Sequence, residues 1–217
     1  MPDTRPTALL TGFEPFDGAT RNPSWDAVEL VARDWSGPAR LETLRLPVSF
    51  AGSRARLAEA VARLRPEFVI AVGLAAGRAA ITPERVGINL EDARIPDADG
   101  AQPVDERIEP DGPAARFATL PVKAIAAAIR EAGIPSEVSN TAGTYVCNHV
   151  LYSLPGLDGL APDARTGFLH VPATPDTGSG PGIPTLPLER IATGVRIALE
   201  ISLTRREDLR ESAGREH

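Results

Sequence analysis

The chain has 217 residues, 42% of them hydrophobic, enough to fill one α/β core, and a net charge of -6 spread along its length rather than in blocks. That balance excludes a basic nucleic-acid footprint, because the 22 arginines, set against the single lysine Lys123, form no stripe. One cysteine excludes a disulfide framework and fits a cytoplasmic setting; no apolar run approaches the ~20 residues of a membrane helix, and the N-terminus lacks a signal-peptide pattern.

In chain order, "TALLTG" at 7–12 is a short apolar run stopped by glycine and reads as a first strand. The Pro- and Gly-rich "FEPFDGATRNPS" is a loop. "PSWDAVELVARDW" follows as a helix with Ser24 as its cap. "LETLRLPV" reads as the second strand. From Ser53 a helix is expected on the spacing of Leu57, Val61 and Leu64, ending at Pro66. "EFVIAVGL" is a strand of the fully buried kind, and "VGINLEDARI" is expected to be another. The polar, turn-rich segment 96–113 is long for a plain connection, as functional or flexible loops often are.

"LPVKAIAAAIREAG" is a helix with Gly133 as its stop. "SEVSNTAG" is expected as a strand, leading into a helix at "CNHVLYSL". "GFLHVP" is a further strand, and "LPLERIATGVRIALEISL" closes with a long helix. We expect a single domain over residues 1–204 and a charged tail, frayed or disordered, over 205–217. Strands alternating with helices argue for a sheet covered on both faces. Neither GxGxxG after the first strand nor a phosphate loop is present, and "GLAAGR" at 73–78 reads as a plain turn.

The lone Cys147 stands where a strand-like segment becomes a helix-like one. A free cysteine is commonly a small buried hydrophobe. At a helix start, however, unpaired N–H groups favour a thiolate and can also face an oxyanion. Such a nucleophile needs a histidine to move its proton. His217 is terminal. His149, two residues on, points away from Cys147 on a helix and is expected to be structural. His170 ends a strand, where catalytic groups of α/β sheets gather, but spacing alone equally allows a core histidine. Glu84 in "ITPERV" is one of many acids that could orient the imidazole; a local role in a helix start formed by Thr82 and Pro83 fits its neighbours as well.

Five ordered segments resemble the pyroglutamyl peptidase family, cysteine peptidases that remove an N-terminal pyroglutamate. They are "LLTGFEPFDGATRNPS", "GRAAITPERVGINLEDARIPDADGAQPVDE", "GPAARFATLPVKAI", "SNTAGTYVCNHVLY" and "GFLHVP", and the likeness runs from about residue 9 to about residue 200. The resemblance implies a three-layer α/β/α sandwich around a twisted mixed sheet. It implies an intracellular enzyme without metal or cofactor, often tetrameric, acting on peptides with N-terminal pyroglutamate through a thioester. It carries the nucleophile to Cys147, the general acid/base to His170 and its partner to Glu84, and it places Arg94 in the active site.

It also implies that Phe13 and Phe16 sandwich the lactam ring, that Asn22 offers it a donor and an acceptor, and that Ile95, Tyr145 and Val146 complete the wall. Asn22 serves equally well as a turn residue before Pro23. Leu74 replaces a common glutamine, Tyr145 a common phenylalanine and Asp17 a frequent glycine. These departures bear on tuning rather than on the reaction. A binder that has lost catalysis, and a redox sensor built on Cys147, are the competing readings; the second lacks a resolving cysteine.

Overall fold

The computed structural model describes residues 4–178 and 181–214; His217 lies outside them. Five strands form one mixed sheet: β1 (Thr7–Phe13), β2 (Arg40–Leu46), β3 (Phe68–Leu74), β4 (Thr82–Pro83) and β7 (Arg165–Val171), in the order β2-β1-β3-β7-β4. All neighbours run parallel except β4, which lies antiparallel to β7 at the edge. A second, small antiparallel pair joins β5 (Val86–Ile88) to β6 (Ala115–Phe117).

Strand residues alternate between two apolar layers. Ala8, Leu10, Ile70, Val72, Leu169 and Val171 face one side, where α1 (Pro23–Arg33), α3 (Val122–Glu131) and α5 (Leu188–Thr204) pack. Leu9, Phe13, Val69, Ala71 and Phe168 face the other, covered by α2 (Phe50–Leu64) and α4 (Val146–Ser153). Because both faces are covered, β1 and β3 are almost continuous apolar runs, which is why they are so visible in the sequence. The result is the expected α/β/α sandwich.

Several local expectations change. The cap of α1 is Asn22, not Ser24: its Oδ1 accepts from the Ser24 N–H at 3.1 Å and from Ser24 Oγ at 2.8 Å, and Pro23 takes the first helical position. Helix α2 starts at Phe50, before Ser53, because Ser49 caps it by accepting from the Gly52 N–H at 3.0 Å. The strand expected over "VGINLEDARI" shrinks to β5, outside the main sheet. "SEVSNTAG" forms only isolated bridges, Ile81 to Ser136 and Glu84 to Ser139. The stop at Gly133 is observed, with φ 74 immediately after α3.

The long segment 96–113 is anchored. The buried Asp97 accepts from the N–H groups of Phe50, Asp99 and Ala101 at 2.8–2.9 Å. Glu109 pairs with Arg116 and Arg54, and the Arg116 hydrogen bond holds its carboxyl below the usual range. The tail, described as far as residue 214, reaches back to the domain through Asp208. Helix α3 has no local side-chain cap; Asp208 supplies one from far along the chain, accepting from the N–H groups of Lys123 at 3.1 Å and Ala124 at 2.9 Å. Among the described residues no helix is long and apolar enough to cross a membrane.

Asp208→Ala removes that cap and should lower stability by about 0.5–2 kcal/mol, as loss of an N-cap does. Urea unfolding measures it; an unchanged midpoint would mean that the tail does not hold α3.

Candidate active site

The site forms at the carboxyl ends of β1, β3 and β7, where ligands of open α/β sheets bind. The register pairs Gly73 with His170, and Ala71 with both Thr11 and Phe168. Two residues past the Thr11–Ala71 pair stand Phe13 and Gly73. Phe13, Gly73 and His170 therefore lie in one row on the face that α4 covers.

Gly73 is the close approach of that row. A Cβ there would lie 2.9 Å from Cys147 Sγ and 2.7 Å from the Phe168 ring. With no side chain on β3 at this point, the thiol settles over the strand next to the residue paired with His170. Across a sheet that neighbour is ~4.8 Å away. Helix α4 begins at Val146, so Cys147 is its second residue, and no side chain caps the turn. Its first N–H groups have no partner within the helix.

Glu84 reaches His170 from the edge. Its local alternative, a helix start, is overturned: Thr82 and Pro83 form β4 instead. Proline suits this edge position because it has no N–H to pair. The Glu84 N–H donates to Phe168 O at 2.9 Å, continuing the antiparallel run and turning the carboxylate to the face of His170. Glu84 Oε1 lies 2.7 Å from His170 Nδ1; Glu84 is wholly buried and His170 is 4% exposed. A carboxylate can only accept, so Nδ1 carries the proton and Nε2 is left as the base. His149 has its own acid, Glu91, against Nδ1, and its ring packs edge-on to Phe50.

Burial pushes the Cys147 thiol up to about 12, with the Glu84 charge adding to the rise and Arg78 opposing it. Burial also holds His170 below its ordinary value of 6.5, against the raising effect of Glu84. Both groups are thus neutral at pH 7. Desolvation opposes the thiolate that the helix start favours.

The expected wall residues divide. Phe16 and Tyr145 pack at 6.2 Å between ring centres, Tyr145 meets Phe50 at 5.3 Å, and the Tyr145 hydroxyl donates to Pro96 O at 3.0 Å. Ile95, which precedes Pro96, is 40% exposed, and Leu74 is half-buried at the end of β3. Phe13 is packed against Phe168 at 6.3 Å and only 3% exposed. Val146 is fully buried in the core.

Asn22 is engaged as a cap and also donates from Nδ2 to Glu14 O at 2.9 Å. Arg94 is exposed, with no hydrogen bond or ion pair among the described residues. Asp17 has φ 53, the left-handed conformation that explains glycine at that point in the resembling family. No cluster of three or more His, Cys, Asp or Glu is placed to hold a metal among the described residues.

Sequence reasoning missed Arg78, whose guanidinium NH1 donates to Glu84 Oε1 and Thr82 Oγ1. "GLAAGR" does make a turn, with the Arg78 N–H donating to Ala75 O at 2.9 Å, but the arginine ending it reaches the site. Only its place six residues before Glu84 could have drawn notice. An open cleft of about 840 Å³ lies beyond Arg78; neither Cys147 nor His170 borders it, so the reacting group of a substrate would not sit there.

A thiol at a helix start beside an imidazole–carboxylate pair, on an α/β/α sheet, defines a cysteine-type hydrolase. The family model of pyroglutamyl peptidase matches residues 7–205, and the chain belongs to that family. It is 48% identical to the pyrrolidone-carboxylate peptidase of Erwinia tasmaniensis and 46% identical to that of Clavibacter michiganensis subsp. michiganensis, over 96% of this chain and 98% of each relative. The crystal structure of pyroglutamyl peptidase I from Bacillus amyloliquefaciens superimposes with a TM-score of 0.91 at 43% identity, covering 96% of this chain and all of the other. The pyrrolidone carboxyl peptidase of Thermococcus litoralis gives 0.89 at 38% identity, covering 95% and 99%.

Two outcomes follow from this geometry. Alkylation of Cys147 by iodoacetamide should rise steadily from pH 6 to pH 9, because the thiol titrates far above that range; a plateau with an inflection below pH 7 would reveal a resting thiolate. Gly73→Ala should cost about 1–3 kcal/mol through overpacking and displace the thiol. Calorimetry and the alkylation rate check it, and wild-type values in both would contradict the close approach.

Proposed function

We propose that this protein hydrolyses the bond after an N-terminal pyroglutamyl residue of peptides, with Cys147 as nucleophile. The observation that carries the proposal is the thiol seated over Gly73, the strand position paired with His170, whose Nδ1 is held by a buried Glu84.

Cys147 Sγ attacks the pyroglutamyl carbonyl while His170 Nε2 takes the thiol proton. The oxyanion meets the free N–H groups of the first turn of α4, with Arg94 as a further cation at the mouth. As the C–N bond breaks, His170 gives its proton to the departing amine and a thioester remains. Water then attacks the thioester, His170 takes its proton and returns it to the leaving sulfur, and pyroglutamate departs.

Pyroglutamate is a flat lactam with one N–H, one ring C=O and no ammonium. Phe16, Tyr145 and Ile95 offer it an apolar wall, as small-ligand sites require. An ordinary peptide would bring a charged amine that must lose its water without a carboxylate partner, which is costly. In this reading the enzyme works in the cytoplasm as a homo-oligomer, a tetramer by family resemblance, and needs no cofactor.

The test is release of a fluorophore from a pyroglutamyl amide, with prolyl and glutaminyl amides as controls. Cys147→Ala should abolish turnover, and Glu84→Gln should lower kcat by up to about 10⁴-fold, as loss of a triad carboxylate does. The acid limb of kcat/KM should fall below pH 6.5, because burial depresses His170 and the base form survives to lower pH. Turnover surviving in Cys147→Ala would sink the mechanism, and equal cleavage of the controls would sink the specificity.

A further inference from the structure

Beyond the thiol, imidazole and carboxylate, one charged side chain reaches into the site. Arg78 leaves the turn that follows β3, and its guanidinium spans three segments. NH1 donates to Glu84 Oε1 and to Thr82 Oγ1, and NH2 donates to Thr141 O at 2.8 Å. Those segments are the edge strand carrying Glu84, the turn after Gly73, and the loop that leads into α4 and Cys147.

We propose that Arg78 is a positioning residue: its fork locks the Glu84 carboxylate against His170 Nδ1 and so sets the tautomer and proton affinity of the imidazole that receives the thiol proton. The proposal rests on the peptidase reading above.

The physical need for such a residue comes from Glu84. It is wholly buried, so its charge has no water to answer it. Oε1 takes both hydrogen bonds, from His170 Nδ1 and from Arg78, while Oε2 has no partner among the described residues. If His170 alone faced that charge, the pair would hold a proton tightly, whichever atom carried it. An imidazole protonated at both nitrogens cannot act as a base. The guanidinium supplies a permanent positive charge on the same oxygen, so Glu84 stays matched while Nε2 stays free.

The groups facing His170 are few. Glu84 comes from the β4 edge, Arg78 from the turn and the Cys147 thiol from α4, while His149 is paired with Glu91. Arg78 lowers the proton affinity of His170 and Cys147 alike, whereas Glu84 raises both. The arginine therefore favours the forms the reaction needs on both partners. Two-point anchoring of the fork, on Thr82 and on Thr141, fixes where that charge lies.

The experiment compares wild type, Arg78→Lys and Arg78→Met in two readouts: the pH profile of pyroglutamyl amide turnover, and the NMR titration of the His170 ring. In Arg78→Met we expect the acid limb and the His170 titration to move upward together by about one pH unit, with kcat falling more than KM rises. Arg78→Lys keeps the charge and should return both titrations toward wild type. Should Arg78→Met fail to fold, Arg78→Lys is read at the wild-type His170 titration, and a shift there of the size expected for Met would count against the proposal. A lower melting temperature with an unmoved acid limb and unmoved ring titration would overturn it as well, leaving Arg78 merely structural. If wild type cleaves no pyroglutamyl amide yet the ring titration moves in Arg78→Met, the peptidase reading falls and the positioning role stands.

Discussion

The Glu84 carboxylate is cut off from water, and the arrangement of the site follows from how that charge is answered. Burying an ionised carboxylate costs several kcal/mol even after the protein relaxes, so it persists only where donors and countercharge surround it. Here the imidazole of His170 comes from the strand beside it and the guanidinium of Arg78 from the turn opposite. Each of these has its own anchor: His170 lies within the register of β7, and Arg78 bonds to Thr82 and to Thr141 O. The edge strand β4 is only two residues long, yet it is the element that turns Glu84 toward both.

The second constraint is an absence of side chain. Gly73 sits in the row that also contains Phe13 and His170, and any Cβ there would collide with Phe168 and with the sulfur. A glycine inside a buried strand weakens it, and its use commonly marks a close approach. What approaches is α4. Asn148, fully buried, ties that helix to β5 by accepting from the Ile88 N–H and donating to the carbonyls of Ile88 and Leu90, at 2.9–3.0 Å. The helix is thus held between β5 and β3, with Cys147 over Gly73. Far-reaching carboxylates do similar work elsewhere: Asp97 pins the 96–113 segment to the start of α2, and Asp208 caps α3.

What could be read in the sequence follows from what each residue type reveals locally. The buried strands and the amphipathic helices α1, α3 and α5 show themselves because their periodicity reflects a core on one or both sides. Cys147 was conspicuous as the only cysteine before a helix. Glu84 was not, because its neighbours Thr82 and Pro83 imitate a helix start while tertiary pairing makes them an edge strand. Arg78 carried no signal, since its partners lie four, six and 63 residues away and only the fold brings them together. Asn22 and Ser24 show how close a local reading can come: both belong to the cap of α1, but the one supplying the accepting oxygen is two residues earlier. Choosing His170 over His149 also needed more than spacing, and the distinction is now chemical. Each has an acid at Nδ1; His170 is the one paired in register with Gly73, over which the thiol lies.

The neutral resting pair gives the helix start a different part from the one its position first implies. Had the first turn of α4 stabilised a resting thiolate, its N–H groups would already be committed to charge on sulfur. Burial instead keeps that proton on the thiol. In the proposed reaction negative charge first develops on the carbonyl oxygen, as the proton passes to His170. Interactions that act only then lower the barrier, whereas those equally strong in the ground state do not. Desolvation of the thiol, which looks unfavourable for a nucleophile, is therefore what leaves the helix N–H groups free for the transition state. Arg78 completes the balance from the other side, keeping the Glu84 charge matched so that the imidazole is empty when the proton arrives.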